Sequence, residues 1–146
     1  MGSVDVTTEI VIAAPRERVS SFSADPGNAT AWYENIVAAT WETPPPIAVG
    51  SRFGFEARFL GRKIAYTYRV EVYEPGVRLV MRTTEGPFPM ETTYEWRDTP
   101  DGGTRMRLRN RGQPSGFAKI ASSLMVSSMR KANRKDLDRL RAIMES

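Results

Sequence analysis

Apolar and polar residues alternate along much of the first 111 residues of the chain, and the spacing of the apolar residues changes after that point. Alternation with a period of two is typical of strands that bury one face. It predicts a first strand over residues 4–12, a second over residues 36–42 and five more between residues 53 and 111. From residue 116 to residue 144 the apolar positions recur every three or four residues, which predicts one amphipathic helix about 43 Å long.

Two prolines predict short helices between the first and second strands. Proline is tolerated in the first turn of a helix because its missing N–H group is not needed there. Pro15 is followed by apolar positions at Val19 and Phe22, which form a buried stripe. Asp25 is a typical N-cap residue before Pro26, so a second short helix is expected directly after the first.

Turn residues predict the pairing of the last five strands. Leu60 and Gly61 form a two-residue hairpin loop, and Pro75 and Gly76 occupy the central positions of a type II turn. Further turns are expected at residues 85–89 and 100–102. Because buried side chains must face buried side chains, these turns predict a set of inward-facing pairs. The pairs are Phe53 with Tyr68, Phe55 with Tyr66, Tyr68 with Thr83, Val70 with Met81, Val72 with Leu79, Thr83 with Thr92, Met81 with Tyr94, Leu79 with Trp96, Thr92 with Asn110, Tyr94 with Leu108, and Trp96 with Met106.

The predicted inner face of the sheet changes from wholly apolar at one end to hydroxyl- and amide-bearing at the other. No carboxylate is predicted to face inward. The long helix is the only segment of sufficient length to cover this face, and we expect Leu124 to point toward the sheet. Small serine residues in the middle of the helix would leave volume unfilled. The polar end of the inner face is one row of residues, namely Phe53, Tyr68, Thr83, Thr92 and Asn110.

Four alternating arginines on the last strand point to the outer face in the same register. They are Arg105, Arg107, Arg109 and Arg111. The register places Glu95 opposite Arg107 and Glu91 opposite Arg111. Acidic residues of the first strand can also pair with these arginines if that strand lies next to the last one. The row is therefore predicted to be a solvated face of exposed ion pairs, each worth at most about 1 kcal/mol.

Length and composition limit the remaining function classes. With 146 residues, 40% of them hydrophobic, the chain is expected to form one domain over residues 1–146. It contains no cysteine and no histidine, which excludes disulfides and thiolate nucleophiles and removes the commonest general base and metal ligand. We expect no metal site and no cofactor. Neither a leader sequence nor a membrane span is recognised, so a cytoplasmic protein is expected.

The net charge of +4 permits an acidic partner, but nucleic-acid binding is not predicted. A nucleic-acid surface would usually add exposed aromatic residues or a recognisable module to such charge, and neither is visible. On the last helix the basic residues are interleaved with Asp136, Asp138 and Glu145, which is typical of a solvated face. We expect a monomer or homodimer without a nucleic-acid partner.

Several features along the whole chain occur together. They are the strand ending in Ile12 to Pro15, the Val19 and Phe22 stripe, Asp25 and Pro26 leading to Trp32, Gly50 before the Phe53 strand, Glu74 to Gly76, and the terminal helix. This combination resembles the helix-grip fold of the START-like, or SRPBCC, superfamily, and most of all its small bacterial polyketide cyclase or dehydrase-like members. The resemblance implies an α+β fold. A curved antiparallel sheet of about seven strands, with two short helices after strand 1, would carry a long C-terminal helix across its concave face.

The resemblance also implies a ligand cavity between sheet and helix. Buried hydroxyls and amides need partners or water, and small molecules bind in mostly apolar pockets with a few polar groups. Plain core packing is the alternative for each residue taken singly. The ligand-binding candidates are the residues already predicted to face inward, namely Phe53, Phe55, Tyr66, Tyr68, Met81, Thr83, Thr92, Tyr94, Asn110, Leu124 and Ser128.

Three classes of function remain open. The first is the binding or carrying of a small hydrophobic ligand, lipidic or polycyclic, and this is the function we expect. The second is a polyketide cyclase or aromatase-like enzyme in which Tyr68, Tyr94 and Asn110 orient the substrate; the lack of an inward carboxylate counts against it. The third is a ligand-free interaction protein of the chaperone-activator type, with methionines of the last helix as its partner surface.

Overall fold

The sheet and helices were analysed in a computed structural model that describes residues 4–59, 61–113 and 122–146. The seven strands form one antiparallel sheet in the order β1-β7-β6-β5-β4-β3-β2, which confirms the predicted α+β helix-grip fold. The predicted start of the last helix, residues 116–121, lies outside the described residues. The elements are β1 (Val4–Ile12), α1 (Arg16–Ala24), a 3-10 turn (Pro26–Asn28), α2 (Ala29–Trp32), β2 (Ile36–Trp41), β3 (Arg52–Phe59), β4 (Arg62–Glu74), β5 (Arg78–Glu85), β6 (Met90–Asp98), β7 (Thr104–Gly112) and α3 (Ser122–Glu145).

The two short helices close the apolar end of the sheet. The Asp25 carboxylate accepts a hydrogen bond of 2.8 Å from the backbone N–H of Gly27, so the predicted N-cap is confirmed. Ser23 at the end of α1 accepts a bond of 3.1 Å from the indole N–H of Trp96 on β6. Trp32, the last residue of α2, is fully buried. This end of the molecule is therefore a packed core.

Most of the predicted strand register is confirmed. Between β3 and β4 Phe53 lies opposite Tyr68, and between β4 and β5 Tyr68 lies opposite Thr83. All predicted pairs between β6 and β7 are present, including Thr92 opposite Asn110. The register predicted from the turns is therefore confirmed throughout between β3 and β4 and between β6 and β7.

The predicted register between β5 and β6 is wrong by two residues. The structure places Met81 opposite Thr92 and Leu79 opposite Tyr94. A shift of two residues leaves every side chain on the same face of the sheet. The requirement that buried residues face each other therefore could not distinguish the two registers. The overturned pairs are Thr83 with Thr92, Met81 with Tyr94, and Leu79 with Trp96.

A β-bulge overturns one further pair. The register of β4 against β5 shifts between Val70 and Val72, so that Val72 lies opposite Val80 and Tyr73, rather than Val72, lies opposite Leu79. An extra residue in one strand turns the side chains that follow it to the opposite face of the sheet. Tyr73 accordingly packs against the core.

Helix α3 buries most of its predicted apolar positions, but Leu124 is not among them. Leu124 is 54% exposed, so its predicted direction toward the sheet is wrong. Met125 and the residues at three- and four-residue spacing from it take the buried positions instead. The apolar pattern alone missed part of this buried face because two of its positions are polar. The buried residues of α3 are Met125, Met129, Asn133, Asp136, Leu137, Leu140 and Met144.

Candidate functional site

A cavity of about 100 Å³ lies between the concave face of the sheet and α3. Strands β3 to β6 supply a largely aromatic and apolar wall, which includes Phe55 and Tyr66. The loop between β5 and β6 contributes Pro87 and Phe88, and α3 contributes four residues along its buried face. The α3 residues are Met129, Ala132, Asn133 and Asp136.

The cavity brings together most of the residues predicted from the sequence. Tyr94 and Phe53 are buried but do not line the cavity, and Phe53 packs against the rings of Phe55 and Tyr68. Leu124 is exposed and Ser128 is half-buried, and neither lines the cavity. The predicted residues that do line it are Phe55, Tyr66, Tyr68, Met81, Thr83, Thr92 and Asn110.

Five polar residues of the cavity were missed by sequence reasoning, among them Asn35 before β2 and Arg58 on β3. Tyr33 follows α2, and Asn133 and Asp136 lie on α3. Asp136 was expected on a solvated face, which is wrong because it is only 3% exposed. Its spacing of three from Asn133 and four from Leu140 was the available signal, since that spacing places all three residues on one helix face.

A chain of hydrogen bonds crosses the cavity wall from β4 to α3. The Tyr68 hydroxyl lies 2.6 Å from Thr92 Oγ1, and Thr92 donates to Asn110 Oδ1 over 2.5 Å. Because the single hydroxyl hydrogen of Thr92 is used in that bond, Tyr68 donates to Thr92. Asn110 Nδ2 then donates to Asn133 Oδ1 over 3.3 Å. The predicted polar row thus exists in part; Thr83 instead contacts the backbone of Met90.

Asp136 is a buried carboxyl group with one backbone partner. Its Oδ1 accepts a 2.9 Å hydrogen bond from the backbone N–H of Glu34. Burial raises the pKa of Asp136 to about 7, although the Glu34 hydrogen bond acts in the opposite direction. Near neutral pH the group is therefore present in both its neutral and its ionised form.

Three tyrosines, Tyr33, Tyr66 and Tyr94, lie near enough to this carboxyl group to interact with it electrostatically. The hydroxyls of Tyr33 and Tyr94 are hydrogen-bonded to each other. Burial, and secondarily nearby groups that include Asp136, raises the pKa of Tyr33 and of Tyr66. Burial also raises the pKa of Tyr68 to about 12. These hydroxyls stay protonated near neutral pH, so they act as hydrogen-bonding groups and not as bases.

The described residues bring no cluster of three or more carboxylate, histidine or cysteine side chains together that could hold a metal ion. Within the same residues, no helix has the length and apolar character needed to cross a membrane. The polar groups of the cavity can accept and donate hydrogen bonds to a bound molecule. Only Asp136 among them exchanges a proton near neutral pH.

Solved structures share this fold over nearly the whole chain. A START superfamily protein from Mycobacterium smegmatis matches with a TM-score of 0.82 at 12% identity, covering 97% of each chain. The Zhui aromatase/cyclase from Streptomyces sp. R1128 matches with a TM-score of 0.78 at 15% identity, over 98% of this chain and 94% of the other. Ginseng major latex-like protein 151 from Panax ginseng gives 0.79 at 8% identity and 99% coverage of both chains. At such identities these likenesses establish the fold alone.

Sequence comparison adds the family. No curated protein matches the chain. The family model described as polyketide cyclase / dehydrase and lipid transport matches residues 3–145. That match covers almost the full length, and it agrees with the seven-stranded sheet and the long α3 helix. The chain therefore belongs to the polyketide cyclase / dehydrase and lipid transport family.

Proposed function

We propose that this protein binds a small hydrophobic ligand in the cavity between the sheet and α3. The observation that carries the proposal is the cavity itself, whose wall is mainly apolar and aromatic and includes a connected set of polar groups. Its volume of about 100 Å³ is several times what one buried water requires. An apolar pocket with a few fixed polar groups is the usual form of a small-molecule site.

The family supports the same function. Its description includes lipid transport, and a carrier needs only a cavity of suitable shape and polarity. In contrast, the methionines that would serve an interaction protein are buried. Met125 and Met129 pack against Val4, Val6 and Phe88, and Met144 belongs to the main core.

The test is a titration with a neutral hydrophobic fluorescent probe such as N-phenylnaphthylamine. We expect saturable binding to the wild-type protein. Ala132→Trp should abolish this binding because Ala132 lines the cavity and an indole there would fill it. Ser127→Trp is the matched control, since Ser127 is exposed on the same helix. Failure of the wild type to bind the probe, or equal binding by both tryptophan variants, would contradict the proposal.

Asp136 favours a second candidate function, a cyclase or aromatase-like reaction. The absence of an inward carboxylate counted against this function, and the buried Asp136 removes that objection. A group with a pKa of about 7 is suited to proton transfer near neutral pH. The test is incubation with a linear poly-β-ketone. Loss of cyclised product in Asp136→Asn, with ligand binding retained, would support catalysis; equal product with and without the protein would exclude it.

A further inference from the structure

The interior of the cavity carries negative charge whenever Asp136 is ionised. Asp136 is 3% exposed and contributes to the wall from α3. Arg58 also borders the cavity, but its residue is solvent-exposed on β3. None of the ion pairs formed by the described residues includes Asp136. Arg139 of α3 lowers the pKa of Asp136 but forms no ion pair with it, and a buried carboxylate without a paired cation favours a ligand that supplies one.

Aromatic rings surround the space in front of this carboxylate. Tyr33, Phe55, Tyr66 and Tyr68 line the cavity, and Phe88 closes it from the β5–β6 loop. The face of an aromatic ring carries partial negative charge and attracts cations within about 6 Å. The rings and the carboxylate therefore both attract a cation.

Hydrogen-bond acceptors face the same space. The Tyr68 hydroxyl gives its hydrogen to Thr92, so its oxygen retains lone pairs for a ligand donor. Asp136 Oδ1 accepts from Glu34, and Oδ2 is available as a further acceptor. An ammonium group has several N–H donors and no acceptor. It matches these two acceptors better than a carboxylate or a phosphate does, and Asn133 Nδ2, a buried donor without a partner among the described residues, can meet an acceptor elsewhere on the ligand.

We propose that the ligand of this cavity is an apolar molecule bearing a protonated amine, with Asp136 as its counter-ion and the tyrosine rings around the ammonium group. This inference rests on the proposed ligand-binding function and names the chemistry of the ligand. A neutral molecule of the same shape would fill the apolar part of the cavity and leave the ionised carboxylate without a counter-ion. An anionic molecule would be repelled.

The pH dependence follows from the groups that face Asp136. Glu34 precedes β2 and forms an ion pair of 3.8 Å with Lys135. Tyr33, Tyr66 and Tyr94 keep their protons near neutral pH because burial raises their pKa values, and the nearby Arg139 of α3 acts to lower the pKa of Asp136. Asp136 is therefore the group that controls amine binding between about pH 5 and pH 8. Because only the ionised form supplies a counter-ion, the preference for an amine over a neutral ligand should decrease below the Asp136 pKa of about 7 and be lost about two pH units below it.

The experiment compares three ligands with one hydrocarbon body. Benzylamine, benzyl alcohol and phenylacetate compete with N-phenylnaphthylamine at about pH 8 and about pH 5, where the amine is cationic throughout. At the higher pH we expect benzylamine to bind at least about tenfold more tightly than benzyl alcohol, and phenylacetate to bind most weakly. At the lower pH the advantage of the amine should disappear. Asp136→Asn should bind amine and alcohol alike at both pH values, whereas Asp138→Asn, an exposed neighbour on α3, should keep the amine preference.

The outcomes separate this inference from the function on which it rests. Equal affinities for benzylamine and benzyl alcohol in the wild type at both pH values would overturn the amine assignment and leave the cavity as a binding site. An amine preference that persists in Asp136→Asn would also overturn it. If neither the probe nor any of the three ligands binds, both the amine assignment and the proposed function fail.

Discussion

The outer face of β7 and the cavity behind that sheet place charged groups under opposite conditions. On the outer face Arg109 binds Asp5 of β1 at 2.6 and 2.8 Å, and both side chains are about half exposed, at 40% and 51%. In the cavity Asp136 is 3% exposed and accepts its hydrogen bond from a backbone N–H group. The same residue type, aspartate, is therefore an inexpensive surface group in one place and a costly buried one in the other.

This difference indicates which charged groups are candidates for a functional role. Exposed pairs on the outer face have solvent and several alternative partners. Glu9, for example, contacts both Arg105 and Arg107. A buried carboxyl group with a raised pKa lowers the stability of the folded protein at neutral pH. Such a group is a candidate for a role in binding or chemistry, because packing alone would favour an apolar residue.

The largest expected effect concerns the pH dependence of stability. The folded-state pKa of Asp136, about 7, lies above the unfolded value of 3.8. Between these values the folded protein holds a proton that the unfolded chain has released, so the contribution is present at low pH and is lost as pH rises through about 7. The loss is about 4 kcal/mol in the free energy of unfolding. Asp136→Asn should lack it and be the more stable protein at about pH 8.

Urea denaturation at a series of pH values measures this effect. The chain has no histidine, so few other groups titrate between about pH 5 and pH 8. Asparagine keeps an oxygen that can accept the Glu34 hydrogen bond. Parallel stability curves for the wild type and Asp136→Asn across this range would show that the carboxyl group is not perturbed by burial.

Thr92→Val tests the buried hydrogen-bond chain. The change keeps the shape but removes the hydroxyl that joins Tyr68 to Asn110, leaving two buried polar groups without partners. A cost of about 1–3 kcal/mol in the free energy of unfolding is expected. Thr93→Val is the matched control on the opposite face of β6, where Thr93 borders the outer surface. Equal costs for the two variants in urea denaturation would remove the distinction between the faces.

Asp5→Asn makes on the outer face the same substitution that Asp136→Asn makes in the cavity. It should change the free energy of unfolding in the opposite direction. It weakens the exposed pair with Arg109, whose hydrogen bond holds the pKa of Asp5 below its usual value. We expect a destabilisation of at most about 1 kcal/mol that decreases further in high salt. Thermal denaturation at low and high ionic strength measures it. A loss comparable to that of a buried pair, insensitive to salt, would show that this face is not solvated as described.

The fold was predictable because its signals are local. Alternation predicts which residues of a strand share a face, and a predicted short turn gives the register of the strands on either side, as in the pairing of Phe59 with Arg62. The predicted pairing of β5 with β6 was wrong because a shift of two residues leaves every side chain on the same face of the sheet. The reversed direction of the side chains from Val72 onward was not predicted because a bulge leaves no local pattern in the sequence.

The site was predictable only in its apolar and hydroxyl-bearing part. Tyr66 and Tyr68 lie on strands whose alternation fixes their direction, and both line the cavity. Asn133 and Asp136 were missed because polarity along a helix predicts exposure, and a polar residue on a buried face reverses that rule. Asn133 and Asp136 are exceptions to this local rule, and such exceptions are expected at functional sites.

Leu124→Asp has the smallest expected effect and tests the face of α3 directly. Leu124 is 54% exposed, whereas Leu140 on the same helix is fully buried. Surface substitutions usually change the free energy of unfolding by no more than about 0.5 kcal/mol, so Leu124→Asp should melt close to the wild-type temperature. Leu140→Asp, the matched control, places a charge in the core and should unfold the protein or lower its melting temperature strongly. If Leu124→Asp were as damaging as Leu140→Asp, the face that α3 turns toward the sheet would include Leu124. The assignment of Asn133 and Asp136 to the cavity, which rests on the same helix orientation, would then fail with it.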